Sequence, residues 1–383
     1  MDKWTTIARL PGLLALTLLA AACSETAGPG PQLRSPGAIA FDVAAGPNNA
    51  TFGQSGTQII KGFNPTNPHH GDAIIATFFW LGSTNIIDSV IDVLTDVTFT
   101  PVHNTYNLVE YRTAGGISMA TYVATNVQNF PDAGTDPNQI LAVRANLSQS
   151  ITDGGVMLSA YSGVYPTYAQ ALGAHQSSSG AGSSTTIADP GAIPVNVGAL
   201  AYSVALATPP AGVSTPLGFT NISAGPMSDA NMVGAGAYAL PAAAGTVDPQ
   251  WTWGFNAPST WLASVLALNE APTKLVFTVQ PSTSLPCPAT IPPVQVTAQD
   301  DKGNTVTTFG GPVTIAIGRN GGLLLPGTLS GTKTVAAVNG VARFSDLCID
   351  QPSAPGNGYT LQATAPDLNL SVTSAAFGIG VVN

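Results

Sequence analysis

The chain has 383 residues, 44% of them hydrophobic but only 8% charged, against about 25% charged in an ordinary soluble protein. Its 11 Lys and Arg against 20 Asp and Glu leave a formal charge of −9, which excludes a protein that neutralises nucleic-acid phosphates. Too little Glu, Lys and Arg is present for a coiled coil and too much apolar residue for a disordered chain, so a Gly- and Pro-rich all-β protein remains.

Lys3 and Arg9 flank the start of an apolar run, Leu10 to Ala22. That length suits the h-region of a secretory signal and falls short of the about 20 residues that span a bilayer. The run closes on Leu19-Ala20-Ala21-Ala22-Cys23, which resembles the lipobox of bacterial lipoproteins, with Ala20 where that family usually has Leu. The resemblance implies a signal peptide over 1–22, lipidation at Cys23, and the membrane as a partner through the N-terminal lipid. Ordinary secretion with an incidental cysteine is the alternative. Ser24 rather than Asp follows the cysteine, which by the same resemblance implies the outer membrane. Residues 23–36, with Gly28-Pro29-Gly30-Pro31, read as a flexible tether.

From Cys23 to Asn269 there are 13 acids and 4 bases, and from Glu270 onward 6 and 5. The shift coincides with a boundary near Glu270-Ala271-Pro272, giving domains at 37–270 and 271–383. In the first, Asp72 to Leu81 is apolar at every second position on both faces, as in a strand buried between layers. Strands are also expected at 86–93, 97–101, 117–126, 140–147, 155–164, 198–207, 251–255 and 259–268. No sustained helical stripe appears. This many strands suit a jelly-roll β-sandwich. The order of GD plus an apolar strand, YVATNV, LSAYSGV, SSTT and WLASVLALNEA resembles a jelly-roll module of bacterial extracellular proteins.

In the second domain, strands are expected at 274–281, 293–299, 313–317, 333–338, 341–344, 359–363 and 371–379, broken by Gly, Pro and Asn as in a β-sandwich. The stretches KLVFTVQPS, VQVTAQDDKGNTVT, TLSGTKTVAAVNGVARFSDLCID and GYTLQATAPDL resemble bacterial Ig-like modules of the invasin/intimin kind. In that family the module is a spacer or presentation arm. Cys287 and Cys348 are an even pair once Cys23 carries lipid, and a disulfide between them suits an oxidising compartment. Two separate core thiols are the alternative.

Signatures of chemistry are scarce. There are four histidines: His69, His70, His103 and His175. His69 and His70 precede a strand, where neighbours point to opposite faces, so they are expected in an exposed turn without a shared ion. Neither GxSxG, HExxH, a P-loop nor GxGxxG occurs, so no cofactor or nucleotide is indicated. Ser177 to Ser184 reads as a flexible loop. Asp88/Asp92 and Asp132/Asp136 are carboxylate pairs that could act on a glycan, though solvated turns explain them as well. Calcium is the one ion with clustered oxygen ligands on offer, at Asp132, Asp136 and Asn138, with Asp300-Asp301 a weaker candidate. Trp251, Trp253 and Phe255 alternate on one strand face and, like Trp80 and Trp261, are expected in the core. Tyr161, Tyr165 and Tyr168, in the broken segment YSGVYPTY, are the candidate ligand platform.

Three functional readings follow. The first is a non-catalytic, lipid-anchored surface protein for adhesion or envelope contacts, with a polysaccharide or surface protein as partner. The second is a carbohydrate-binding lipoprotein using the jelly roll. The third is a glycan-active enzyme without a recognisable motif.

Overall fold

The computed structural model describes residues 37–380 except 44, 48, 137, 182–186, 211, 224–226, 254–259 and 357. The signal sequence, Cys23, the tether and Phe255 lie outside the described residues. In chain order the longer strands up to residue 270 are β1 (Gly56–Gly62), β2 (Ala73–Leu81), β3 (Ile87–Leu94), β4 (Asn107–Ala114), β5 (Ile117–Ala124), β6 (Leu141–Ile151) and β7 (Gly154–Ser162). A one-turn helix, α1 (Tyr168–Ala171), leads into β8 (Leu172–Ala181), β9 (Leu200–Thr208), β10 (Val233–Ala239), β11 (Trp251–Trp253) and β12 (Thr260–Leu268). Among the described residues no helix is long and apolar enough to cross a membrane.

β2, β5 and β7 are buried along almost their whole length. Successive strand side chains point to opposite faces, so a run that is apolar throughout needs a layer on each side. That is the arrangement found. An antiparallel sheet ordered Ala40–Phe41, β7, β2, β5, β4 forms the middle layer. One of its faces, with Ile74, Ala76, Phe78 and Trp80, packs on Ile59, Val143 and Ala145 of the sheet β1-β6-β3. The other, with Ile75 and Phe79, packs on Val204, Leu206, Leu262 and Leu266 of the sheet containing β8-β12-β9-β10.

Thr77 is the polar exception on that inner face. Its hydroxyl is 3.0 Å from both Thr121 Oγ1 and Tyr202 Oη, so the group is hydrogen-bonded across the layers rather than stranded. On the far side of the second sheet, Trp251 and Trp253 of β11 cover Ala205 and Ala263. Trp251 Nε1 donates to Ser203 Oγ at 2.9 Å, and Ser203 donates onward to the carbonyl of Ser264. The expected all-β sandwich is therefore present, thickened by a middle sheet enclosed on both sides. Trp80, Trp251, Trp253 and Trp261 are core residues, as expected.

Several local expectations need correction. Residues 97–101 form no strand beyond a single bridge from Pro101 to Val93. Asp96 closes a turn there, accepting from the hydroxyl and N–H of Thr100 and of Thr98. Those bonds favour the charged form and hold its carboxyl down at about 2. Ser177 to Ala181, expected in a flexible loop, continue β8 and pair with Ser264 to Thr260 of β12. Gly155 of β7 is required by close approach: a Cβ there would lie 2.0 Å from the Thr51 carbonyl oxygen and 2.6 Å from the Phe79 ring.

Beyond residue 270 come β13 (Lys274–Val279), β14 (Val294–Gln299), β15 (Pro312–Arg319), β16 (Thr334–Ala336), β17 (Val341–Phe344), β18 (Thr360–Ala365) and β19 (Leu370–Thr373). They make two sheets, β13-β14-β17 and β16-β15-β18-β19. Phe277, Val296 and Phe344 of the first share a core with Val313, Ile315 and Leu361 of the second. Cys287 and Cys348 form a disulfide across 61 residues, with their Cα atoms 5.3 Å apart.

No sheet of described strands crosses residue 270, yet the described residues on both sides of it belong to one compact unit. The core is continuous through the seam, from Val164, Tyr165 and Ala171 to Ala271, Leu275 and Phe309. Backbone bonds reinforce it: Tyr165 N–H donates to Asn269 O at 3.0 Å, and Ala271 N–H to Gly163 O at 2.9 Å.

Two stability measurements check this packing. Phe79→Ala should lower the unfolding free energy in urea by about 3–5 kcal/mol, the cost of emptying a fully buried aromatic site, while Val97→Ala, fully exposed, should leave it unchanged. Reducing the disulfide should remove up to about 4 kcal/mol, the loop-closure entropy of a cross-link of this span. An unchanged denaturation midpoint under reductant would contradict that contribution.

Candidate functional site

One recess has a volume of ≈ 500 Å³. It lies at the seam, between the loop entering β2, the turn leaving β7 and the segment between β18 and β19. Its polar lining comes from His70, Asp72, Asn126, Ser162, Asp367 and Asn369. The backbone around it is contorted: Gly71, Asn126, Gly163 and Asn369 all have positive φ, at 87°, 52°, 75° and 53°. Asn is the non-glycine residue that adopts this region at least cost. Asn369 does so as the C-cap of the 3₁₀ turn Pro366–Leu368, which presents Asp367.

The loop entering β2 is held from several directions. Gly71 N–H donates to Val127 O, and Val127 N–H to Asp72 O. Asp42, delivered by the pairing of Ala40–Phe41 with Ser162 and Tyr161, accepts from the His69 backbone N–H at 2.9 Å. The same oxygen lies 3.0 Å from His69 Nδ1. Asp42 and Asp72 are both almost fully buried, and donor atoms of Asp42, His69 and Asp72 all lie within 4.8 Å of one another. His70 turns elsewhere: its N–H donates to Asp132 Oδ1 and its Nε2 contacts Phe130 O. The two histidines turn to different partners. They are half-buried, however, rather than in an exposed turn: His70 packs edge-on to Phe130 and His69 lies against Asp42.

The other candidates disperse. Asp132 is engaged with His70, and its carbonyl accepts from Thr135. Asp136 accepts from the N–H of Asn138 and from Gln139 Nε2, so its oxygens close the local turn. Asp300 likewise accepts from the backbone and the side chain of Asn304. Asp88 is exposed, whereas Asp92 is buried on Asn104, with its carboxyl raised by burial against the opposing pull of those hydrogen bonds. A register shift between Ile87 and Ser89 separates that pair.

The tyrosines do not form an open platform. Tyr161 belongs to β7 and packs edge-on to Phe41 and Tyr238. Tyr165 is buried at the seam, and Tyr168 on α1 is half-buried. The Gly and Pro residues that suggested a loop end mark the turn from β7 into α1, and Tyr161 and Tyr165 on it are buried.

Sequence reasoning also passed over one cluster. Glu110 on β4 accepts from Ser177 Oγ at 2.7 Å and lies 2.6 Å from His175 Nδ1. The hydroxyl here serves the carboxylate and not the imidazole, which is the reverse of a nucleophile activated by its base. Neither Asp42 nor this cluster had a local signal, since both arise from partners distant in sequence that strand packing brings together. No protein-family model matches the chain, and no curated protein matches it.

A second seam recess, of ≈ 160 Å³, is lined by Glu270, Asp300 and Thr305 among others. Burial raises the Glu270 carboxyl to about 7, helped by the charges of Asp300 and Asp301 and opposed by Lys302. A carboxyl raised in the folded state stabilises the fold fully below its ordinary value of 4.5, and that contribution is lost as pH rises through about 7. Glu270→Gln should therefore raise the melting temperature more at about pH 8 than at about pH 5. An equal effect at both pH values would remove Glu270 as the titrating group.

Proposed function

We propose that the protein is a non-catalytic, lipid-anchored envelope protein, tethered through Cys23 at the outer membrane and serving adhesion or envelope contacts. The observation that carries this reading is the Cys287–Cys348 disulfide. Disulfides persist in oxidising compartments, so the pair accords with the export implied by residues 1–22. The likeness of 37–270 to jelly-roll modules and of 271–383 to bacterial Ig-like modules belongs to the same reading. The continuous core at the seam supports a stiff presenting body, since relative motion would expose Tyr165 and Leu275.

One observation favours carbohydrate binding as a second reading. The ≈ 500 Å³ cleft offers Asn126, Ser162, Asp367 and Asn369, side chains that can exchange hydrogen bonds with sugar hydroxyls.

Cys23→Ala should shift the full chain from the membrane fraction to the soluble fraction of cells, and continued membrane fractionation would refute the anchor. In a polysaccharide pull-down with the full chain, retention that Asp367→Ala abolishes would put the second reading first. Absence of retention on every polymer would leave protein partners as the objects of contact.

A further inference from the structure

We propose that Asp42, His69 and Asp72 bind a divalent cation of the zinc class at the wall of the seam cleft. The inference does not depend on the anchoring reading. Three donor side chains converge there, one nitrogen and two carboxylates, with their ligand atoms within 4.8 Å of one another. Zinc bonds of about 2.0–2.2 Å to imidazole nitrogen and carboxylate oxygen put neighbouring ligands about 3.3 Å apart in a tetrahedron. His69 Nδ1 and Asp42 Oδ2 already stand at 3.0 Å. Closing the widest separation, at most 4.8 Å, to that spacing takes up to about 1.5 Å of side-chain adjustment.

The donor set selects the ion. Imidazole nitrogen suits zinc and its neighbours, whereas calcium takes six to eight oxygens. Three protein ligands leave a fourth position for water or an incoming oxygen, as in open zinc sites. Asp72 itself lines the cleft, so a ligand in the cleft has a route to the ion.

The loop is also built to hold such a site. The His69 backbone is fixed by Asp42, the turn is closed by Asp72 N–H donating to His69 O, and Gly71 supplies the left-handed step between the two ligands. Binding requires Nδ1 without a proton, which the neutral ring meets by carrying its proton on Nε2.

The test uses the untagged full chain in detergent, stripped with EDTA and titrated calorimetrically with zinc chloride, then with manganese and calcium chlorides. One equivalent of zinc should bind and raise the melting temperature, with calcium far weaker. His69→Ala should lower zinc affinity at least tenfold and abolish the thermal shift, as should Asp72→Asn. His70→Ala and Asp132→Asn should leave both unchanged. Asp42 also supports the loop backbone, so its variant can lose the fold, and His69→Ala, which removes only a half-buried ring, is decisive. Zinc-edge absorption on the wild type needs no variant and should show the scattering of one imidazole ring. A folded wild type that takes up no zinc, undiminished binding by His69→Ala, tighter calcium than zinc, or a zinc shell without imidazole would each overturn the proposal.

Discussion

The rest of the molecule depends on one constraint: a sheet with no face open to water. β2, β5 and β7 alternate their side chains between two neighbouring sheets, so every position along them contributes to burial. This explains how so weakly charged a chain reaches a stable fold. Its apolar side chains are spent on enclosing a middle layer, and the polar groups that must enter, such as Thr77, Ser203 and Trp251 Nε1, meet partners across the layers.

A second consequence concerns the seam. Because the middle sheet extends into the turn at Gly163 and Val164, the chain leaves β7 already committed to the position of Ala271. Tyr165 fills the space between, close to where a side chain on Gly311 would reach. The polar cleft and the Glu270 recess both line this junction. Polar groups accumulate there because the loops that meet at the junction carry backbone groups that strand pairing does not satisfy.

How much of this could be read from the sequence followed physical lines. Long apolar runs announced β2, β5, β7, β9 and β12, because a strand buried on both faces leaves no alternative pattern. β4, with Asn107, Glu110 and Arg112, was not visible: it lies at the edge of the middle sheet, where polar side chains are tolerated. β8 was hidden by composition. Its run of Ser and Gly looks like a linker until pairing with β12 supplies the ladder, and Ser177 and Ser179 meet Glu110 and Arg112. For the site, His69, Gly71 and Asp72 stood together in the sequence. Asp42 stands 27 residues before His69 and reaches it only through β pairing, which leaves no local trace. The tyrosines misled for a related reason, since Gly and Pro signal a turn but not what covers it.

The disulfide has a further implication for how the chain withstands proteolysis. Between Cys287 and Cys348 lies Leu323-Leu324-Leu325, three apolar side chains standing well out of the surface. An exposed apolar loop of this kind is the sort of place where a protease cuts. A cut there would open the chain without dividing it, because the cystine joins the two sides of the break. The stretch ahead of the cut would stay bound to the strands behind it, and a nicked molecule would remain whole until its sulfur bridge was also broken.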